Sequence, residues 1–282
     1  MAASSSALQV GSREHTAKWF DETVAVPPQA RELLENYSHI PAAEVQDHVI
    51  TLRNKAWQVW PYPCLGQFRF LELNLANRAD IYPQLLSRLR DGNQKFLDVG
   101  CCLGQDIRKL VYDGVPSENL AGIELEAGFI DLGYELFRDR DTLKSKFAVG
   151  TILDDTSTVL KELEGQFDVV QLGMILHLVT CEEQVKVFKH AIRLLKTEGD
   201  VAIIGQATGN LDGTASPSWR KNTFRHNVET FKKLISEVSE ETGTRWNVKA
   251  SLDDGLSIHD GKRTWDDPKT RRLLFEVQRK LG

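Results

Sequence analysis

The stretch Phe96-Leu97-Asp98-Val99-Gly100-Cys101-Cys102-Leu103-Gly104-Gln105-Asp106 decides how the rest of the chain is read. An apolar strand ends at an acid, turns at a glycine, and enters a helix at a second glycine. Gly100 lets the backbone come close to a ligand, and Gly104 lets the helix start beside it. A dinucleotide loop more often shows G-x-G-x-x-G after a wholly apolar strand. Here Asp98 precedes the turn and offers negative charge to an amino group, which favours S-adenosylmethionine as the bound cofactor. Cys102 stands where that cofactor's loop commonly has a further glycine.

The segments that follow agree with this reading. Asn119-Leu120-Ala121-Gly122-Ile123-Glu124 is a strand ending in an acid, about twenty residues past the glycine loop, where a carboxylate accepts ribose hydroxyls. A third strand runs into Gly150-Thr151-Ile152-Leu153-Asp154. Gly150 occupies the place expected for an acid facing the adenine, and Asp154 comes late, so the backbone at Ile152 and Leu153 is the expected adenine contact. After the fourth strand, Gln171-Leu172-Gly173-Met174-Ile175-Leu176-His177 reaches the point where substrate and methyl group would meet. His177 reads as a base, as an orienting group, or as a packed core histidine. Met174 reads as a wall. Gln206 and His226 are further substrate-side candidates. Trp57, Trp60, Tyr62, Phe68 and Phe70 form either core or a lid over an apolar substrate, with Arg69 placed to meet a carboxylate.

Beyond this stretch, short apolar runs alternate with amphipathic ones. Strands are expected at 95–99, 120–124, 146–149, 167–172 and 200–206, with helices at 104–112, 127–137, 158–163, 182–195 and 228–238. Two closing strands, 246–251 and 272–277, have no clear helix between them. The expected fold is α/β: a class I methyltransferase (Rossmann-like) seven-stranded sheet, mostly parallel, with an antiparallel edge hairpin. Residues 1–92 read as a separate N-terminal layer before a cofactor-binding domain at 93–282. That layer has a disordered tip to about residue 15, helices after Pro27-Pro28 and Pro41, a break at Trp60-Pro61-Tyr62-Pro63, and helical spacing from Phe70 to Leu89.

Composition narrows the possibilities. The 282 residues are 41% hydrophobic and 27% charged, as in an ordinary soluble globular chain. A formal charge of −5 gives no argument for a nucleic-acid partner. The basic residues near the end, among them Lys262, Arg263 and Lys269, are interleaved with Asp266 and Asp267 and read as a mixed solvated surface. Cys64, Cys101, Cys102 and Cys181 lack zinc-like pairing, so no metal is expected and reduced thiols in the cytoplasm are the simplest reading. Neither a secretory signal nor a membrane-length apolar run is present.

The chain also resembles the fungal methyltransferases of meroterpenoid biosynthesis. The likeness rests on Trp60-Pro61-Tyr62-Pro63-Cys64-Leu65-Gly66-Gln67-Phe68-Arg69-Phe70, on the Cys101-Cys102 variant of the loop, and on 133–139, 205–209 and 224–231. It implies S-adenosylmethionine as donor, O-methylation of a carboxyl group on a polyketide-terpenoid acid, and a homodimer. Carried onto this chain, it puts the cofactor contacts at Glu124-Leu125 and Ile152-Leu153. The N-terminal helices, read as exposed and apolar, are the expected dimer interface. A phenol or amine acceptor, a nicotinamide-dependent oxidoreductase and a cofactor-binding scaffold without turnover are the alternatives.

Overall fold

The computed structural model describes residues 11–216, 222–256, 261 and 263–280. Most of the expected disordered tip, and Lys262 of the basic cluster, lie outside the described residues. Residues 11–15 are fastened to the body: Trp57 Nε1 donates to the Arg13 carbonyl at 3.0 Å, and His15 stacks on Phe20.

The N-terminal layer holds α1 (Pro28–Glu32, continued by a π-helical turn, Leu33–Tyr37), α2 (Val45–Val59), α3 (Pro63–Gly66) and α4 (Tyr82–Leu86, continued by Ser87–Asp91). Val45, Val49, Leu52, Ala56 and Trp57 of α2 are buried in one cluster with Phe129, Leu132 and Leu136 of a sheet helix. The apolar face read as an exposed interface is therefore covered within the chain. Arg53 keeps this layer together: its guanidinium lies 4.0 Å from the ring centres of both Phe20 and Phe68 and donates to the carbonyls of Asp21 and Gly66 at 2.7 Å.

The continuous helix expected from Phe70 to Leu89 does not form. A short 3-10 turn at Arg69–Glu72 ends at Leu73, whose φ of 45° is left-handed, and helix resumes only at Tyr82. Between them Asn77 Nδ2 donates to the Glu72 carbonyl, the local side-chain competition that keeps asparagine out of helix interiors.

Seven strands form one sheet in the order β3-β2-β1-β4-β5-β9-β8. They are β1 (Phe96–Val99), β2 (Leu120–Glu124), β3 (Lys146–Val149), β4 (Val169–Gly173), β5 (Ala202–Asn210), β8 (Trp246–Asp253) and β9 (Thr270–Arg279). The first five pair in parallel, and β9 is antiparallel to both neighbours. Helices α5 (Gln105–Tyr112), α6 (Ala127–Phe137), α7 (Thr158–Leu163), α8 (Cys181–Leu194) and α9 (Val228–Thr242) cover its faces. α8 and α9 each begin with a reciprocal capping box, Thr180 with Glu183 and Asn227 with Thr230.

Strand β5 runs past Gln206 to Asn210 because β9 pairs with its whole length, from Ala202 opposite Gln278 to Asn210 opposite Thr270. A small ribbon not read from the sequence, β6 (Thr214–Ser216) with β7 (Thr223–Arg225), follows it. No helix among the described residues is long and apolar enough to cross a membrane. Strand order reverses around β1, whose neighbours are β2 and β4, so the loops at their C-terminal ends part and open a crevice.

Candidate active site

A cavity of about 850 Å³ fills that crevice, within the size range of small-molecule sites. One end is acidic. Asp98 at the end of β1 lies directly across from Gln171 of β4, and Gln171 Nε2 donates to Asp98 Oδ1 at 3.2 Å and Asp106 Oδ2 at 3.1 Å. Both carboxyls are buried, and Asp106 Oδ1 has no hydrogen-bond partner among the described residues. Burial, and then the neighbouring Asp106, hold the Asp98 carboxyl well above the usual carboxylate range; burial raises Asp106 to about 6. Two acids sharing one neutral donor form a site for a cation.

In the ligand-free protein this arrangement works against the fold. An acid raised by folding holds its proton in the native state after the unfolded chain has lost it. Stability therefore falls as pH rises from about 4 through about 6. Asp106→Asn should raise the stability of the ligand-free chain at pH 8 by roughly 1–3 kcal/mol, with a smaller gain at pH 5. Melts at the two pH values check this, and a variant less stable than wild type at both would contradict it.

The glycine loop is held open by left-handed residues: Gly100 at φ 74°, Cys102 at 51° and Gly104 at 65°. Cys102 thus occupies a position that favours glycine, which explains why a glycine is commoner there. Its N–H donates to Glu124 Oε2 at 2.8 Å, while Glu126 N–H donates to Glu124 Oε1 at 3.1 Å. Burial raises the Glu124 carboxyl, opposed by these N–H donors. Gly104, expected to face the cofactor, does not line the cavity. A Cβ on it would lie 2.4 Å from Arg108 Nη1 and 3.1 Å from Phe147, so its freedom serves packing behind the loop.

Past β3, Ile152 and Leu153 line the cavity, and His190 Nδ1 hydrogen-bonds the Ile152 carbonyl at 2.5 Å. Leu125 is an exposed apolar residue at the rim. Tyr62, Arg69, Met174 and Gln206 also line it, and buried Gln206 Oε1 has no partner among the described residues. Met174 is left-handed, at φ 59°, with its N–H on the Gln206 carbonyl at 2.8 Å. Of the aromatic segment, Trp57 and Phe68 are core, while Tyr62 and Phe70 face the cavity.

His177 lines the cavity between β4 and β5. Its Nδ1 accepts the Thr208 N–H at 3.3 Å, which assigns the proton to Nε2. Burial, then the charges of Arg225 and Arg263, pull the imidazole down to about 3. His226 is a correction: it lies outside the cavity wall, with Nδ1 on Thr230 Oγ1 at 3.0 Å and Nε2 on Gln184 Oε1 at 2.5 Å. It joins the start of α9 to α8.

The end beyond His177 is basic, which the sequence reading did not anticipate. Arg225 Nη1 donates to Asp266 Oδ1 and Thr270 Oγ1, each at 2.9 Å. Arg263 Nη2 pairs with the other Asp266 oxygen. Burial alone would raise the Asp266 carboxyl, but Arg263 and Arg225 together hold it below its usual range. Both guanidinium groups thus share the Asp266 carboxylate. Trp19 and Trp265, with ring centres 5.4 Å apart, close the wall nearby.

Residues 19–71 match the family described as a meroterpenoid methyltransferase N-terminal domain, and residues 96–199 match a methyltransferase domain. The O-methyltransferase atr3 of Stereocaulon alpinum is 48% identical over 257 residues, covering 90% of this chain and 73% of that protein. The asnovolin E/chermesin D methyltransferase nvfJ of Aspergillus novofumigatus is 37% identical over 222 residues, covering 78% and 79%. Among solved structures, a SAM-dependent methyltransferase of Leishmania major shares the fold, with a TM-score of 0.54 at 13% identity over 88% of this chain and 90% of that one.

Proposed function

The chain belongs to the fungal meroterpenoid methyltransferase family, and from that premise we propose that it esterifies a carboxyl group on an apolar polyketide-terpenoid acid. It is an S-adenosylmethionine-dependent O-methyltransferase, which sets aside the oxidoreductase alternative.

The residues present fit that cofactor. Asp98 and Asp106, with a buried unpartnered oxygen, suit its ammonium group. Each Glu124 oxygen has one backbone donor and keeps capacity for a ribose hydroxyl. Gly100 leaves the loop backbone approachable. Bound there, the cofactor supplies an electrophilic methyl group on a sulfonium sulfur.

The observation that carries the carboxyl reading is the state of His177. With Nδ1 occupied by Thr208 and the ring held neutral, its remaining nitrogen is a donor. A ring this weakly basic suits orientation of an acceptor oxygen better than removal of its proton. A carboxylic acid is already ionised at neutral pH and has no proton to lose. Such an acceptor would offer an oxygen lone pair without giving up a proton, so His177 would only have to hold that oxygen in place. What the protein contributes is orientation and exclusion of water.

His177→Ala should lower kcat by about ten- to a hundredfold, the worth of one hydrogen bond to a charged group, without abolishing turnover. The wild-type kcat should stay flat from pH 6.5 to 9. A rate that climbs with pH, together with complete loss in His177→Ala while S-adenosylhomocysteine still binds, would point instead to a phenol acceptor that needs a base.

A further inference from the structure

We propose that Arg225 receives the acceptor's carboxylate through the Nε and Nη2 edge of its guanidinium. The inference rests on the carboxyl reading above and adds the residue that would select for it.

Arg225 ends β7 and lines the cavity, and its side chain is only 11% exposed. Its hydrogen bonds are divided unevenly. Nη1 serves both Asp266 and Thr270, whereas among the described residues buried Nε has no partner and Nη2 no hydrogen bond. A buried charged donor left unsatisfied is costly, so an arrangement that locks one edge and leaves the other unsatisfied calls for a ligand. Nε–H and the adjacent Nη2–H point the same way, with the spacing of two carboxylate oxygens. Asp266 and Thr270 fix the guanidinium plane, so little ordering remains for the ligand to bring about.

Position agrees with chemistry. β7 lies along the turn that carries His177: Phe224 N–H donates to the Val179 carbonyl at 3.4 Å, and Thr223 bridges Thr180. The His177 donor and the Arg225 fork thus come from adjoining segments on one side of the cavity. Asp266 holds Arg225 beside Arg263, so an entering carboxylate meets a positive field there. Trp19, Trp265 and Leu256 offer apolar wall to the body of such an acid.

The test uses the full chain saturated with S-adenosylhomocysteine, titrated calorimetrically with farnesoic acid, with a farnesylated dihydroxybenzoic acid, and with the methyl ester of each. Wild type should prefer an acid over its ester. Arg225→Leu should weaken that acid about thirtyfold or more, as expected for truncating one partner of a buried charge pair. It should leave the ester and S-adenosylhomocysteine unchanged. Arg225→Lys keeps the charge without the fork and should recover only part of the loss. Should Arg225→Leu fail to fold, Arg225→Lys still decides, since the acid alone must weaken. If wild type prefers neither acid to its ester, the carboxyl reading fails and takes the proposal with it. If wild type prefers the acid and both variants keep that preference, only the assignment to Arg225 falls. Loss of S-adenosylhomocysteine in the variants would place Arg225 on the cofactor and overturn the proposal as well.

Discussion

Arg108→Met is expected to destabilise the fold by about 3–5 kcal/mol, the cost of removing one partner of a buried ion pair. Arg108 is 1% exposed, and its Nε and Nη2 donate to the two oxygens of Asp139 at 2.9 and 3.0 Å. Nη1 donates to the Leu103 carbonyl at 3.0 Å, so the same guanidinium holds the back of the glycine loop. The rings of Phe137, Phe147 and Tyr134 lie 5.0 to 5.2 Å from its central carbon. Methionine fills much of the volume and, among the described residues, leaves the Asp139 carboxylate with only the Tyr37 hydroxyl, at 2.8 Å. Denaturant melts measure the loss. The double variant Arg108→Met/Asp139→Leu should recover part of it, because the stranded charge is gone. A single variant within about 1 kcal/mol of wild type would show that the pair is not what holds this region.

The second large effect belongs to Glu124. Its carboxylate anchors the loop at Cys102 and lines the cavity at the end of β2, where the proposed reading gives it ribose recognition as well as loop geometry. Glu124→Ala removes both, and S-adenosylhomocysteine affinity should fall about a hundredfold or more, since hydrogen bonds to a charged group contribute about 1.5–3 kcal/mol each. Melts should show a much smaller change, because burial already opposes this charge in the ligand-free fold. Calorimetric titration within about threefold of wild type would mean that the ribose is held elsewhere.

The parts of this protein that can be read from sequence are those whose signal is local. Asp98, Gly100 and Glu124 announce themselves by strand-end acids and a turn glycine, and each lies on the cavity. Strand and helix positions from Phe96 to Leu194 follow from periodicity, which the sheet preserves. The misreadings come from forces that periodicity does not carry. Leu71, Leu75, Leu85 and Leu89 are all buried, yet Asn77 and the left-handed Leu73 break the helix their spacing suggested. β6 and β7 are too short to show alternation. His226 sits beside Arg225 in sequence, and of the two side chains histidine is the one that titrates near neutral pH. Only tertiary structure shows that His226 is satisfied by Gln184 and Thr230 while Arg225 Nε meets no acceptor among the described residues. The partner of that arginine, Asp266, is 41 residues away, a distance no local pattern spans.

The most direct test of carboxyl methylation is the fate of the transferred methyl group. The full chain is incubated with methyl-labelled S-adenosylmethionine and the farnesylated dihydroxybenzoic acid, which offers a carboxyl group and phenols in one molecule. The product is then treated with mild alkali. A methyl ester releases its label as volatile methanol, and that is the result this account predicts. Label that stays on the product after alkali would mean an ether, and would contradict it.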